Sequence, residues 1–233
     1  MRVVGLSGGI ACGKSTATTL LRNRGVEVID CDQLAHEVVK KGHWGYKRVL
    51  QAFGRDVLLE DGTINRKALG DIVFRDVQAR RQLNKATHLP VAVALISKLL
   101  GAWIRLRMVL VVDMPLLFET GFNKYCYTTI VVTCNADQQV ARICLRDGVS
   151  ESEAQSRISA QMSHKKRLAA ADIVLDNSSS QQALELHVQN ALQKICKYST
   201  FWGILTSPYI LGCCSVLLFG LWRGSDKVNI EEM

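Results

Sequence analysis

Apolar positions follow two rhythms along this chain. Short, nearly unbroken runs occur at Val3-Val4-Gly5-Leu6, Val26 to Asp30, Met108 to Asp113, Thr128 to Thr133 and Ile173 to Asp176. Such runs, several rich in β-branched residues, predict strands buried on both faces. Between them apolar residues recur at helical spacing. The predicted helices are Lys14 to Arg24, Gln33 to Lys40, Trp44 to Phe53 with Gly54 as its stop, Arg66 to Phe74, Val77 to about Lys85, Val91 to Arg107, and Ala136 to Arg146. Ser150 and Glu153 form a capping box for the next helix. Ser179 with Gln182 is read as the cap of a last one, whose Leu184, Val188, Ala191, Leu192 and Ile195 keep the helical period to about Ile195. Asp61-Gly62 reads as a turn, and Pro90 as a break between two helices. Five strands separated by helices imply βαβ crossovers and an α/β fold with a five-stranded parallel sheet.

The pattern changes at the C-terminal end. Phe201 to Trp222 contains no charged residue, which is roughly the 20 residues a bilayer span needs. Trp202 and Trp222 sit near its ends, with Lys194, Lys197, Arg223 and Lys227 beyond them, as in interfacial belts. Gly203, Pro208, Gly212 and Gly220 weaken it as a soluble helix. We therefore divide the chain into a nucleotide-binding domain over 1–196 and an apolar tail over 197–233, a candidate membrane anchor with an interfacial helix as the alternative.

The chemistry sits in the turn after the first run. Gly8-Gly9-Ile10-Ala11-Cys12-Gly13-Lys14-Ser15 has the spacing of a phosphate-binding P-loop, between a strand and a helix. Its backbone N–H groups and the helix N-terminus attract phosphate oxygens. Lys14 reaches the terminal phosphates of ATP, and the Ser15 hydroxyl is a ligand for Mg²⁺. Asp113 ends a buried strand, where open α/β sheets bind ligands, and is the second candidate for Mg²⁺. Asp30 and Asp32 point the same way if the backbone there is extended, and His36 shares a face with Asp32 if the following helix starts early. A solvated acidic helix start explains the pair equally well. Arg142, Arg146, Arg157 and Lys165-Lys166-Arg167 supply positive charge for a lid.

The chain of 233 residues carries 29 basic and 21 acidic residues, net +8. No basic stripe is interleaved with aromatics, so the charge is read as attraction to nucleotides and no nucleic-acid partner is expected. The eight cysteines form no Cys-x-x-Cys pair, so neither a zinc site nor a redox dithiol is indicated, and free thiols in a reducing compartment are expected. No secretory signal is read at the N-terminal end.

These blocks together resemble the dephospho-CoA kinases, in the eukaryotic, plant-like single-domain form. The resemblance runs from Met1 to about Ile195. It rests on Gly5 to Ser15, Ile29-Asp30-Cys31-Asp32 with Ala35-His36, Ile64-Asn65-Arg66, Asp113-Met114-Pro115-Leu116-Leu117-Phe118-Glu119, Arg146-Asp147, Arg157 with Gln161, and Ala171-Asp172 with Asp176-Asn177. It implies a P-loop kinase fold with a lid and acceptor-binding helices. It also implies ATP-dependent phosphorylation of the 3′-hydroxyl of dephospho-CoA, the last step of coenzyme A synthesis. Asp32 would accept or orient the hydroxyl proton. The segment from Asp32 to about Pro90 would supply the acceptor site and 142–167 the lid, with Lys14 and Arg142 spreading charge from the γ-phosphoryl. Two positions depart from the family pattern: Cys12 stands where Ser is usual, and His88-Leu89-Pro90 replaces a His-Pro pair. A cytoplasmic location is expected, with the tail holding the kinase on an organelle membrane facing the cytosol. The rivals are another P-loop kinase acting on a nucleoside or nucleotide, and an inactive membrane-tethered scaffold. A GTPase is disfavoured, because no Asn-Lys-x-Asp signature is present and Met114-Pro115-Leu116 follows Asp113.

Overall fold

The computed structural model describes residues 1–197 and the single position 208. The apolar tail, with its expected helix over 201–222, lies outside the described residues. Within them, strands and helices alternate as the apolar pattern requires. The strands are β1 (Arg2–Gly8), β2 (Glu27–Asp30), β3 (Val109–Asp113), β4 (Thr128–Thr133) and β5 (Ile173–Asp176). They form one sheet in the order β2-β3-β1-β4-β5, with β3, β4 and their partners running parallel to β1. β3 and β4 are buried at every position, which is why they read as continuous apolar runs.

The helices are α1 (Lys14–Asn23), α2 (Cys31–Val38), α3 (Trp44–Phe53), α4 (Arg66–Arg75), α5 (Val77–Ile104), α6 (Ala136–Asp147), α7 (Glu151–Ser159), α8 (His164–Ala169) and α9 (Gln181–Cys196). The described residues form two compact units, one of residues 1–28 with 102–197 and one of residues 29–101. In the first, Ala17, Leu20 and Leu21 of α1 and Leu184, Val188, Ala191 and Ile195 of α9 pack against Val4, Leu6, Val111, Ile130, Val132 and Leu175 of the strands. In the second, Val49, Val57, Leu69 and Ala86 form a smaller core.

Three sequence expectations are corrected. Pro90 does not separate two helices, because α5 runs through it from Val77 to Ile104. Proline has no N–H to give the carbonyl four residues earlier, which is that of Ala86. The Arg48 side chain supplies the missing donor: its Nε lies 3.0 Å from the Ala86 oxygen and its Nη2 3.2 Å from the Lys85 oxygen. A guanidinium from α3 thus satisfies the gap, and the helix continues. By length and composition α5 is also the one described helix able to cross a membrane. Its Ala86 and Leu83, however, belong to the apolar core of their unit.

The cap of α9 is Ser180 rather than Ser179; its hydroxyl accepts from the Ala183 N–H. With Ala at that third position no reciprocal capping box forms. At α7 the box does form, Ser150 and Glu153 each satisfying the other's backbone. Third, Asp30 and Asp32 do not share extended backbone. Asp30 ends β2 and caps α2, and Asp32 already lies in the first turn of the helix.

Candidate active site

The loop between β1 and α1 is shaped by backbone conformations that few residues adopt. Gly13 has φ 89°, and a Cβ there would stand 2.1 Å from the Asn177 side-chain nitrogen. Ala11, a non-glycine, is also left-handed at φ 56°. A Cβ on Gly9 would come within 2.9 Å of Arg167 Nη1, Cys12 Sγ and Gln139 Nε2. The loop is therefore gripped from several sides. Gln139 on α6 donates to the Ile10 carbonyl at 2.8 Å, and the Ile10 N–H donates to Gln161 Oε1 at 3.0 Å. Asn177, just after β5, donates to the Cys12 carbonyl at 3.0 Å.

Lys14 opens α1 and its ammonium pairs with the Asp113 carboxylate at the end of β3. Register explains the meeting: Leu6 pairs with Asp113 across β1 and β3, so both strands deliver their ends to one edge. Thr18, one turn into α1, donates to the other Asp113 oxygen at 3.1 Å. The Ser15 hydroxyl is exposed at the same helix start. A hydroxyl and a carboxylate are hard oxygen donors, which suits Mg²⁺. Among the described residues no cluster of three or more His, Cys, Asp or Glu could cage a metal by itself. Such an ion would take its other ligands from phosphate and water, the usual habit of Mg²⁺.

Arg142 lies on α6 in this unit. Its Nη2 donates to the Asn177 carbonyl at 3.1 Å, whereas its Nη1 is buried with no hydrogen-bond partner. A buried guanidinium nitrogen without an acceptor is costly. Arg146 and Arg157 both hold Asp147, at 2.7 Å and 2.5 Å. These contacts keep the Asp147 carboxyl below the usual range. Arg167, read from the sequence as part of a basic lid, is buried and donates to the Met162 carbonyl at 2.9 Å, while Lys165 and Lys166 are exposed.

A profile of the family described as dephospho-CoA kinase matches residues 2–183. The chain belongs to the dephospho-CoA kinase family. It is 41% identical over 201 residues to the dephospho-CoA kinase of Oryza sativa subsp. japonica, covering 86% of this chain and 87% of the relative. An uncharacterised Caenorhabditis elegans protein is 36% identical over 223 residues, 95% of this chain and 91% of its own. Among solved structures, the dephospho-CoA kinase from Campylobacter jejuni superposes with a TM-score of 0.66 at 25% identity, over 85% of this chain and 98% of that one. As a dephospho-CoA kinase the chain is a phosphotransferase that uses ATP to phosphorylate the 3′-hydroxyl of dephospho-CoA, completing coenzyme A biosynthesis.

The kinase's first unit thus brings together Lys14, Ser15, Asp113 and Arg142. Asp32 lies in the second unit, on α2. There the Asp30 carboxylate accepts from the Gln33 N–H at 2.9 Å, whereas Asp32 is exposed and has no hydrogen-bond or ion-pair partner among the described residues. His36, one turn on, is exposed as well. Sequence reading missed Gln139 altogether and gave Asn177 no role. Nothing local marks a glutamine on an ordinary amphipathic helix as the holder of a loop carbonyl.

Proposed function

We propose that Asp32 is the general base of the dephospho-CoA kinase reaction, that Lys14 and Arg142 stabilise the transferring phosphoryl, and that Ser15 and Asp113 hold Mg²⁺. The observation that carries this reading is the pairing of Lys14 with buried Asp113 at the mouth of the P-loop. These two groups neutralise each other. The terminal phosphates of ATP would compete for the ammonium and free one Asp113 oxygen, while Thr18 keeps the other in place. Mg²⁺ held by Ser15 and Asp113 would supply charge neutralisation to the phosphates. The loop N–H groups, including that of Ile10 once Gln161 yields it, hold the phosphates at the helix N-terminus. Arg142, anchored through Asn177, offers Nη1 to the charge that develops on the phosphoryl oxygens. Asp32 takes the proton of the attacking hydroxyl and holds it in line. An ADP-release assay with a panel of acceptors tests the assignment. Dephospho-CoA is expected to support turnover, and nucleosides and nucleoside monophosphates to give only background; comparable rates with a nucleoside would overturn it.

We also propose that the chain is one kinase domain over 1–196 with a tail that holds it on a membrane facing the cytosol. The uncharged stretch from Phe201 to Trp222 supports this. The alignment with the Caenorhabditis elegans relative, over 223 residues, takes in most of that stretch. The family profile ends before it, at residue 183. Removing Lys197 to Met233 is expected to leave turnover largely intact, since the family profile ends at residue 183, and to abolish membrane association. Carbonate extraction checks this. Full-length protein released by carbonate would rule out a spanning tail, and a truncated protein that aggregates would show that the tail packs on the domain.

A further inference from the structure

The cysteines show no dithiol spacing in the sequence, but the fold assembles one. Gly8 pairs with Val132 across β1 and β4, so the P-loop leaves the sheet beside the end of β4, where Cys134 follows Thr133. There Asn177 ties the two segments together, its side-chain nitrogen donating to the Cys12 carbonyl at 3.0 Å and its backbone N–H to the Thr133 carbonyl at 2.8 Å, and each thiol is the other's main electrostatic partner. Both residues are buried, Cys12 at 2% and Cys134 at 6% exposure, and neither is in a disulfide. The charged groups around the pair are the Arg142 guanidinium, whose Nη1 lacks a hydrogen-bond acceptor, and the opposing Asp176 carboxylate at Cys134, with Arg167 at Cys12. A thiol pair is thus held together at the wall of the phosphate site, with a cation beside one sulfur.

We propose that Cys12 and Cys134 form a reversible oxidation site, a disulfide made by a hydroperoxide that closes the P-loop against ATP.

The two sulfurs have different roles. The Cys12 thiol, with Arg142 beside the pair, holds the Cys134 thiol down at about 7. The same interaction, with burial, pushes Cys12 well above the ordinary thiol range. Cys134 is therefore the sulfur that gives up its proton first, and the attacking one. It attacks one peroxide oxygen; the O–O bond breaks, and the departing oxygen takes up a proton and leaves as water or alcohol. Cys134 is left as a sulfenic acid. The Cys12 sulfur then attacks the Cys134 sulfur. Its proton goes to the departing hydroxyl, the S–O bond breaks, and water leaves. The thiols lose two electrons and the peroxide gains them.

The consequence lies in distance. A disulfide draws the sulfurs to about 2.05 Å, well inside the separation of two unbonded sulfurs. Cys12 must move with its sulfur, and the Asn177 contact to its carbonyl and the left-handed turn at Gly13 move with it. Displacing phosphate-binding N–H groups by about 1 Å costs on the order of 10²-fold in rate.

The test treats the full-length protein with hydrogen peroxide, alkylates remaining thiols, and maps tryptic peptides. We expect a linked Cys12–Cys134 peptide, lighter than the two free peptides by about 2 Da. We expect a parallel loss of turnover, on the order of 10²-fold, that dithiothreitol reverses. Linkage should speed up as pH rises through about 7. Cys134→Ser should keep its basal activity and resist peroxide. Absence of the linked peptide at full oxidation of other thiols would overturn the proposal. Equal sensitivity of Cys134→Ser would do the same. A rate that rises only above about 8.5, the ordinary thiol range, would remove Cys134 as the attacking sulfur. Because peptide mapping reads the bond itself, its failure leaves the kinase assignment untouched.

Discussion

Lys14→Ala is expected to lower kcat with dephospho-CoA by on the order of 10²-fold or more, with a smaller change in ATP binding. Lys14 is the cation at the start of α1, and its ammonium is already oriented by the Asp113 carboxylate. The backbone loop can still hold phosphate without it, since N–H groups and the helix terminus do that work. What disappears is the charge that grows in value as the phosphoryl moves. The substitution has a second consequence. The Asp113 side chain is 5% exposed, and a buried carboxylate that loses its cation costs about 3–5 kcal/mol in the extreme. Thr18 still donates to it, so the loss here is smaller. Lys14→Gln separates the two effects. Its neutral amide can donate toward Asp113 and should recover much of the stability, while turnover stays low. Turnover near normal in a folded Lys14→Ala protein, with stability confirmed by thermal unfolding, would remove Lys14 from the reaction.

The parts of this molecule that were legible in the sequence are those governed by neighbours in the chain. β4 begins and ends where its β-branched run does, because it is buried at every position and so reads as one continuous run. The Ser150–Glu153 box is a contact over three residues and can be read directly. The P-loop is similar: its spacing is its geometry. The errors have the opposite character. Pro90 breaks a helix only if nothing else reaches the Ala86 carbonyl, and the donor that does reach it, Arg48, comes from a different helix. Ser179 and Ser180 both carry a suitable hydroxyl, and only the backbone angle of the turn chooses between them. Gln139, Asn177 and the Cys12–Cys134 pair belong to the site through sheet register, which no local spacing encodes.

Asp32→Asn is expected to reduce kcat by about 10²- to 10⁴-fold, the range for loss of a general base, while the KM for ATP changes little. The case begins with the two carboxylates at the start of α2. Asp30 is already committed as the N-cap, accepting from the Gln33 N–H. Asp32, in the first helical turn, is exposed and has no partner among the described residues. A side chain that contributes nothing to its own helix beyond the first-turn charge is one whose replacement by the isosteric amide should leave the fold alone. Asp30 supplies the control. Asparagine caps helices as well as aspartate does, so Asp30→Asn should keep both stability and turnover. If Asp30→Asn were as damaging as Asp32→Asn, the sensitivity would belong to the helix start and not to proton transfer. The split between kcat and KM gives an independent reading. A variant that lost ATP affinity but kept most of its turnover would assign Asp32 to the nucleotide instead of to the acceptor hydroxyl.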